Sequence, residues 1–496
     1  MKRFFPRLAR LLPRFESSPH PLDGPTTRRA PVLGNHSVSD PKSIGSLQVT
    51  ETLQNPWWGM DERLPFLLEQ RALHVGKALR VGHGAPLHIT HGTAQYLHSA
   101  DGTTYLDLVN NVTHVGHANP RVTKACAEQM GKLCTNTRYV YDILTEYLAR
   151  LAKTLPEPLK VGFLVNSGSE ANELAVRIAR AHTGAHDMVV VDGAYHGHTG
   201  MLINLSPYKF RGRGGKGEPE PWVHVVPTPD TYRGGEDRDF AAELGKVVSE
   251  AGPIAGFLVE SMLSCAGQIP LPQNYLRDAF EHVRAAGGLC IADEVQVGFG
   301  RVGTHMWAFE AHGVIPDIVV MGKPMGNGHP MAAVFTTLDI ASSFEEMEFF
   351  STFGGNPVSC AIGMAVLDCI EQDALMAKAS MLGERFLTGL KELQAKYDLI
   401  GDVRGRGLFI GVELVLDRAT KQPASEEAAR VVDMMRDKGV LLSTDGPHGN
   451  VIKIKPPMVL SLEDIDKTLH LLRGCFRALR ASHELPRKSV TMRDLI

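Results

Sequence analysis

Long apolar runs are missing from this chain: no stretch approaches the roughly 20 residues that a membrane-spanning helix requires. An excess of one charge is missing too. The 52 lysines and arginines face 55 acids, a formal net charge of -3, so no overall field draws the chain to nucleic acid or to an anionic surface. The seven cysteines are scattered and odd in number, without metal-ligand spacing, which points to free thiols in a reducing compartment. Cys126, Cys290, Cys360 and Cys369 lie in apolar contexts and read as small core residues. His114 and His117 stand three apart, a metal-like spacing, but no cysteine or acidic pair joins them. Hydrogen bonding in a loop near a pocket is the better reading, and no metal is expected. What is present is an ordinary globular composition, 43% apolar and 22% charged over 496 residues, enough for two to three domains and a large core.

The amino terminus departs from that average. MKRFFPRLARLLPRF places Arg3, Arg7, Arg10 and Arg14 on one helical face and Phe4, Leu8, Leu11 and Phe15 on another. Mitochondrial presequences take this form, while Pro6 and Pro13 interrupt it and leave a disordered basic tail as the other reading. Residues 1–50 are therefore expected to be a disordered or targeting extension, followed by the folded chain. The compartment reads as cytoplasmic, with the mitochondrial matrix as the alternative if residues 1–30 are a presequence.

The stretch from Gly287 to Pro330 organises the rest. Its two apolar runs, Leu289 to Ala292 and Asp317 to Met321, read as buried parallel strands. The first delivers Asp293 and Glu294, and the second delivers Lys323 just before a Gly-rich turn. Ligands of open α/β sheets bind outside the carboxyl ends of strands, so Asp293 and Lys323 can face one crevice. A carboxylate and a lysine so placed suit pyridoxal phosphate, which needs a lysine amine and an acidic partner for its ring nitrogen. Taken alone, the pair also reads as a helix cap and a solvated lysine.

Other segments repeat the pattern. Phe163 to Val165 read as a buried strand, then Ser167-Gly168-Ser169 as a turn, then a helix from Glu170, a start that suits an anion. Met188 to Val191 form the next strand, followed by a loop with Tyr195, whose ring can lie on a flat cofactor, and His196 beside it. The strand near residues 254–266 ends its apolar run at Glu260. Thr352 precedes two glycines and a helix start, a second candidate phosphate site. A basic loop carries Lys209 and Arg233, and Arg138 sits at a break between helices. Residues 88–112 read as two short strands around Ala100-Asp101-Gly102, and Met331 to Thr337 as a further strand.

SGSEAN, AYHGHTG, ADEVQVGFGR, GKPMGNGHP and TFGGNP occur in the order found in class III aminotransferase-like enzymes, which the chain resembles over roughly residues 85 to 478. The resemblance implies fold type I of the pyridoxal phosphate enzymes. That is an α/β large domain with a mostly parallel sheet flanked by helices, plus a smaller α+β domain built from both chain ends. The corresponding boundaries are 51–118, 119–345 and 346–480, with 481–496 as a tail. It implies Lys323 as the lysine that carries the cofactor and Asp293 as the partner of its ring nitrogen. Gly168, Ser169, Tyr195, His196, Gln296 and Thr352 become cofactor contacts. Thr352 would reach the neighbouring subunit's site, implying a homodimer with shared active sites, or a tetramer built from such dimers.

Finer blocks, NNVTHVGH, SPYKF, ESMLSCAGQI and STDGPHGNVIKIKPPM among them, resemble the ethanolamine-phosphate and 5-phosphohydroxylysine phospho-lyases. Ordinary aminotransferases of the class tend to carry Arg-x-x-Pro-Pro in the last block. Lys453 takes that position here, followed by Lys455. The implied activity is elimination of phosphate and ammonia from a small phosphorylated amine, O-phosphoethanolamine first. An aminotransferase and a 5-phosphohydroxylysine phospho-lyase are the alternatives. Glu260, Lys209, Arg233, Lys453 and Arg138 are the candidate substrate contacts.

Overall fold

The computed structural model describes residues 63–82, 85–135 and 138–484, so the Arg-rich start and residues 485–496 lie outside it. Seven short apolar runs between residues 161 and 336 pair into one sheet. Its order is 161–165, 332–336, 318–321, 289–293, 254–260, 187–191 and 223–226. Ala332–Thr336 is antiparallel to both neighbours and the other six strands run one way. Their side chains alternate between two core layers, as a period of two requires. Val190, Leu258, Ile291 and Val320 enter one layer, and Val191, Phe257, Val259, Ala292 and Val319 the other. The helix Gly168–Thr183 covers the first layer with Leu174, Ala175 and Ile178. The helices Phe240–Ala251 and Tyr275–Ala285 cover the second with Leu244, Leu276 and Phe280. Burial of one such side chain contributes about 1.5–3 kcal/mol, which is why the strands are apolar end to end.

Outside this sheet, Ile400–Arg406, Phe409–Asp417, Val451–Ile454 and Ser443–Asp445 form an antiparallel sheet. Residues 89–107 form three strands where two were expected. Ala94, at a φ of +52°, turns the chain between Ile89–Thr93 and Tyr96–Ser99, ahead of the expected turn at Gly102. Val440–Leu441 joins them, parallel to Thr104–Asp107, so segments more than 300 residues apart in the chain share one sheet. The last helix, Leu462–Glu484, carries the chain beyond Arg480 into the expected tail. Among the described residues no helix is long and apolar enough to cross a membrane.

The sheet's register positions the chemistry. Asp293 lies level with Glu260 on one neighbouring strand and with Val320 on the other. Lys323 follows two residues after the strand Ile318–Met321. All of these emerge at the same carboxyl edge.

Candidate active site

At that edge the helix Gly168–Thr183 begins. Ser167 caps it, its Oγ accepting from Glu170 N at 3.1 Å, and its first-turn amides have no intrahelical acceptor. A Cβ on Gly168 would stand 3.0 Å from Val295 Cγ1, so glycine lets the helix start approach the exit of the strand Leu289–Asp293.

Asp293 is buried and held by three partners, which leaves one acceptor position on Oδ1. Its Oδ2 accepts from Asn172 Nδ2 and pairs with His196 Nδ1, each at 2.8 Å, while Oδ1 accepts from Val295 N at 3.0 Å. Next to it, Glu294 faces away. It accepts from Ala308 N and Phe309 N at 2.9 and 3.0 Å, and burial pushes its carboxyl up to about 7. Glu260 is also buried and its carboxyl is raised, by desolvation first and by the Asp293 charge; it accepts from Tyr195 N and from both Ser264 N and Oγ.

Lys323 opens a short 3-10 turn at a φ of +24°, a region where a non-glycine residue is strained. Desolvation lowers its amine below the ordinary lysine value; Lys453 adds to this and Asp293 opposes it. Gln296 Oε1 accepts from Asn111 Nδ2 at 3.0 Å and Lys455 Nζ at 2.9 Å. Both partners are donors there, so the Gln296 amide nitrogen is left for another acceptor.

One cavity of about 340 Å³ brings together Gly168, Ser169, Tyr195, His196, Glu260, Asp293, Gln296 and Lys323. The remaining candidates lie elsewhere. Lys453 pairs with Asp445 at 2.8 Å on the hairpin of the antiparallel sheet, close enough to act on Lys323. Lys209 is exposed, its amine 5.6 Å from the centre of the Tyr195 ring. Arg233 does not line the cavity. It is committed to the buried Glu413 at 2.6 Å and lines a separate cavity of about 280 Å³. Arg138 is exposed and pairs with Glu348 at 3.0 Å, and Thr352 is exposed and does not line the cavity.

The sequence reasoning passed over Asn172. It follows Gly168 by four residues, one helical turn, which was the available signal that both face the same way. His114 and His117 serve loops: His114 bonds the Phe299 carbonyl and Arg301, and His117 bonds Asp107.

A profile of the family described as Aminotransferase class-III matches residues 79–476. The chain belongs to the class-III aminotransferases. Among relatives of this class-III chain is "Alanine--glyoxylate aminotransferase 2-like" of Drosophila melanogaster, 46% identical, covering 83% of this chain and 87% of that one. "Ethanolamine-phosphate phospho-lyase homolog 1" of Caenorhabditis elegans is 39% identical, covering 82% and 92%. A solved phospholyase from Arthrobacter in complex with phosphoethanolamine is 38% identical with a TM-score of 0.79, covering 85% of this chain and all of that one. The architecture is fold type I, and the cofactor of this class-III enzyme is pyridoxal 5'-phosphate. The cavity fits it: free helix-start amides for a phosphate, an engaged aspartate, an aromatic ring and a lysine amine at one strand edge.

Proposed function

We propose that the enzyme is a phospho-lyase that removes phosphate and ammonia from a phosphorylated amine, O-phosphoethanolamine first, giving acetaldehyde. The observation that carries this reading is the lysine pair Lys453 and Lys455 beside the Lys323 cavity, in the block where the ordinary enzymes tend to carry an arginine. Lysine serves phosphate as a point charge and is a poorer bidentate partner for a carboxylate. The names of the Arthrobacter and Caenorhabditis proteins support the same reading. The Drosophila relative's name favours the second reading, an aminotransferase that moves an amino group to a 2-oxo acid. A 5-phosphohydroxylysine phospho-lyase is the third.

When bound, the cofactor supplies an electron-poor ring conjugated to the substrate's amine nitrogen. Lys323 would carry it in the resting enzyme, and Asp293, fixed by Asn172, His196 and Val295, would be the partner of its ring nitrogen. Gly168 and Ser169 would hold its phosphate, Tyr195 would face its ring, and Gln296 would offer its amide nitrogen to it. The freed Lys323 amine, lowered by burial and by Lys453, takes the proton from the carbon bearing nitrogen. The electron pair left behind forms a double bond as the adjacent C–O bond breaks, and phosphate leaves with that bond's electrons. The released enamine hydrolyses to aldehyde and ammonia.

In this reading residues 119–345 form the cofactor domain, and residues 63–118 with 346–480 form the smaller one, the expected residues 51–62 of that domain lying outside the described residues. Thr352 serves the site of a second copy in a homodimer. The exposed Tyr139, Val140, Phe350 and Phe353 support such an interface. We place the enzyme in the cytoplasm, with the mitochondrial matrix as the alternative.

The test is release of phosphate and ammonia from O-phosphoethanolamine with no oxo acid present. Equimolar release is expected. Amino transfer to pyruvate or 2-oxoglutarate without phosphate release would replace the first reading by the second, and release from 5-phosphohydroxylysine alone by the third.

A further inference from the structure

A buried cation is paired with an acid or faces an anion, because desolvating an unmatched charge is costly. Lys455 is 7% exposed, and its Nζ donates to a neutral acceptor, Gln296 Oε1. Among the described residues it has no carboxylate at ion-pair distance. Asp445, which acts on it, is already committed to Lys453 at 2.8 Å. Lys453 lies in the strand Val451–Ile454 and Lys455 is the first residue after it. Both act on Cys265, and Lys455 is also coupled to Lys323. Burial, then Lys453 and Lys323, push the Lys455 amine down to about 7, the mark of a charge lacking its counterpart.

We propose that Lys455, together with Lys453, forms an anion subsite of the Lys323 cavity that takes the phosphate dianion of the substrate. The inference rests on the phospho-lyase reading and adds a residue and a charge match to it. With Lys453 balanced by Asp445, Lys455 offers an amine that a bound dianion would hold in its protonated form, and Lys323 offers a second once it has taken up a proton. A phosphate monoester carries nearly two negative charges at neutral pH, a carboxylate one. The subsite is separate from the helix start at Gly168 and Ser169. Gln296 joins it to the cavity, lining the cavity wall while its Oε1 holds the Lys455 amine.

The test uses the holoenzyme with inorganic phosphate as the probe, titrated by calorimetry, and acetate as the control anion. Lys455→Met is expected to weaken phosphate binding on the order of 30-fold and to raise the KM for O-phosphoethanolamine in parallel, with acetate binding unchanged. Lys455→Arg, which keeps the charge, retains most of the phosphate affinity. The visible band of the bound cofactor reports that each variant is folded and loaded. A measurement on the unmodified enzyme stands beside these variants: saturating phosphate, and not acetate, protects Lys455 from acetylation as read by mass spectrometry. Equal phosphate affinity in the unmodified enzyme and Lys455→Met, equal loss for acetate, or no protection of Lys455 overturns the proposal. Failure of the underlying reading looks different. No phosphorylated amine then yields phosphate, while the affinity comparison still decides the subsite.

Discussion

Two walls meet at Lys323, and their electrostatics contrast. On the sheet-edge wall Asp293 has three partners, from the helix Gly168–Thr183, from His196 and from its own backbone two residues on. On the hairpin side, among the described residues, the Lys455 amine has an amide oxygen and no carboxylate at ion-pair distance, and Lys453 spends its charge on Asp445. The first wall is saturated, but for one acceptor position of Asp293, before any ligand arrives, which suits a group held through many turnovers. The second is left with a surplus of positive charge, which suits an anion that comes and goes. Preorganisation and deliberate imbalance are thus placed side by side, the first lining the cavity and the second behind Gln296.

The largest expected effect lies where the walls meet. Lys323→Ala should remove the covalent attachment of the cofactor, seen by mass spectrometry after borohydride reduction, and lower kcat by on the order of 10⁴-fold or more. On the saturated wall, Asn172→Ala removes one donor from Asp293. A loss of about 1–3 kcal/mol is expected, read as roughly 10- to 100-fold weaker cofactor retention on dialysis. An unchanged dissociation rate would mean that the saturation is incidental.

Glu294 sharpens the contrast with its neighbour Asp293, since it is buried for structure. Its folded value, about 7, exceeds the ordinary 4.5, so between these the native state binds the proton more tightly than the unfolded chain does. Its contribution to stability is therefore present below about pH 4.5, falls as pH rises to about 7, and is level above that. The expected fall is on the order of 1–3 kcal/mol, measured as urea midpoints at pH 5 and 7.5, and Glu294→Gln should flatten it. The smallest effect is expected from Lys209→Ala, about two-fold or less in kcat/KM, because that amine is exposed.

The saturated wall was the more legible in sequence. Short apolar runs end on Asp293, Glu260 and Lys323, and a parallel sheet gathers strand ends at one edge whatever the loops do. Gly168, Ser169 and Tyr195 were legible for the same reason, as the first residues after a strand. Asn172 was hidden inside an amphipathic helix, where its position reads as core. The basic candidates fared worse because their partners are distant in the chain. Arg233 is neutralised by Glu413, 180 residues away, and Arg138 pairs with Glu348, 210 residues away. Lys455 had the opposite fate: adjacent to a recognised position, it gained meaning only when the described residues around it proved to offer no free acid at ion-pair distance.

The most direct measurement of the central claim is the spectrum of the holoenzyme after one equivalent of O-phosphoethanolamine, with no oxo acid present. Elimination returns the cofactor unchanged, so the visible band should recover fully as one equivalent of inorganic phosphate appears. A band that stays bleached, with no phosphate released and recovery only on adding pyruvate or 2-oxoglutarate, would contradict the phospho-lyase and identify an aminotransferase.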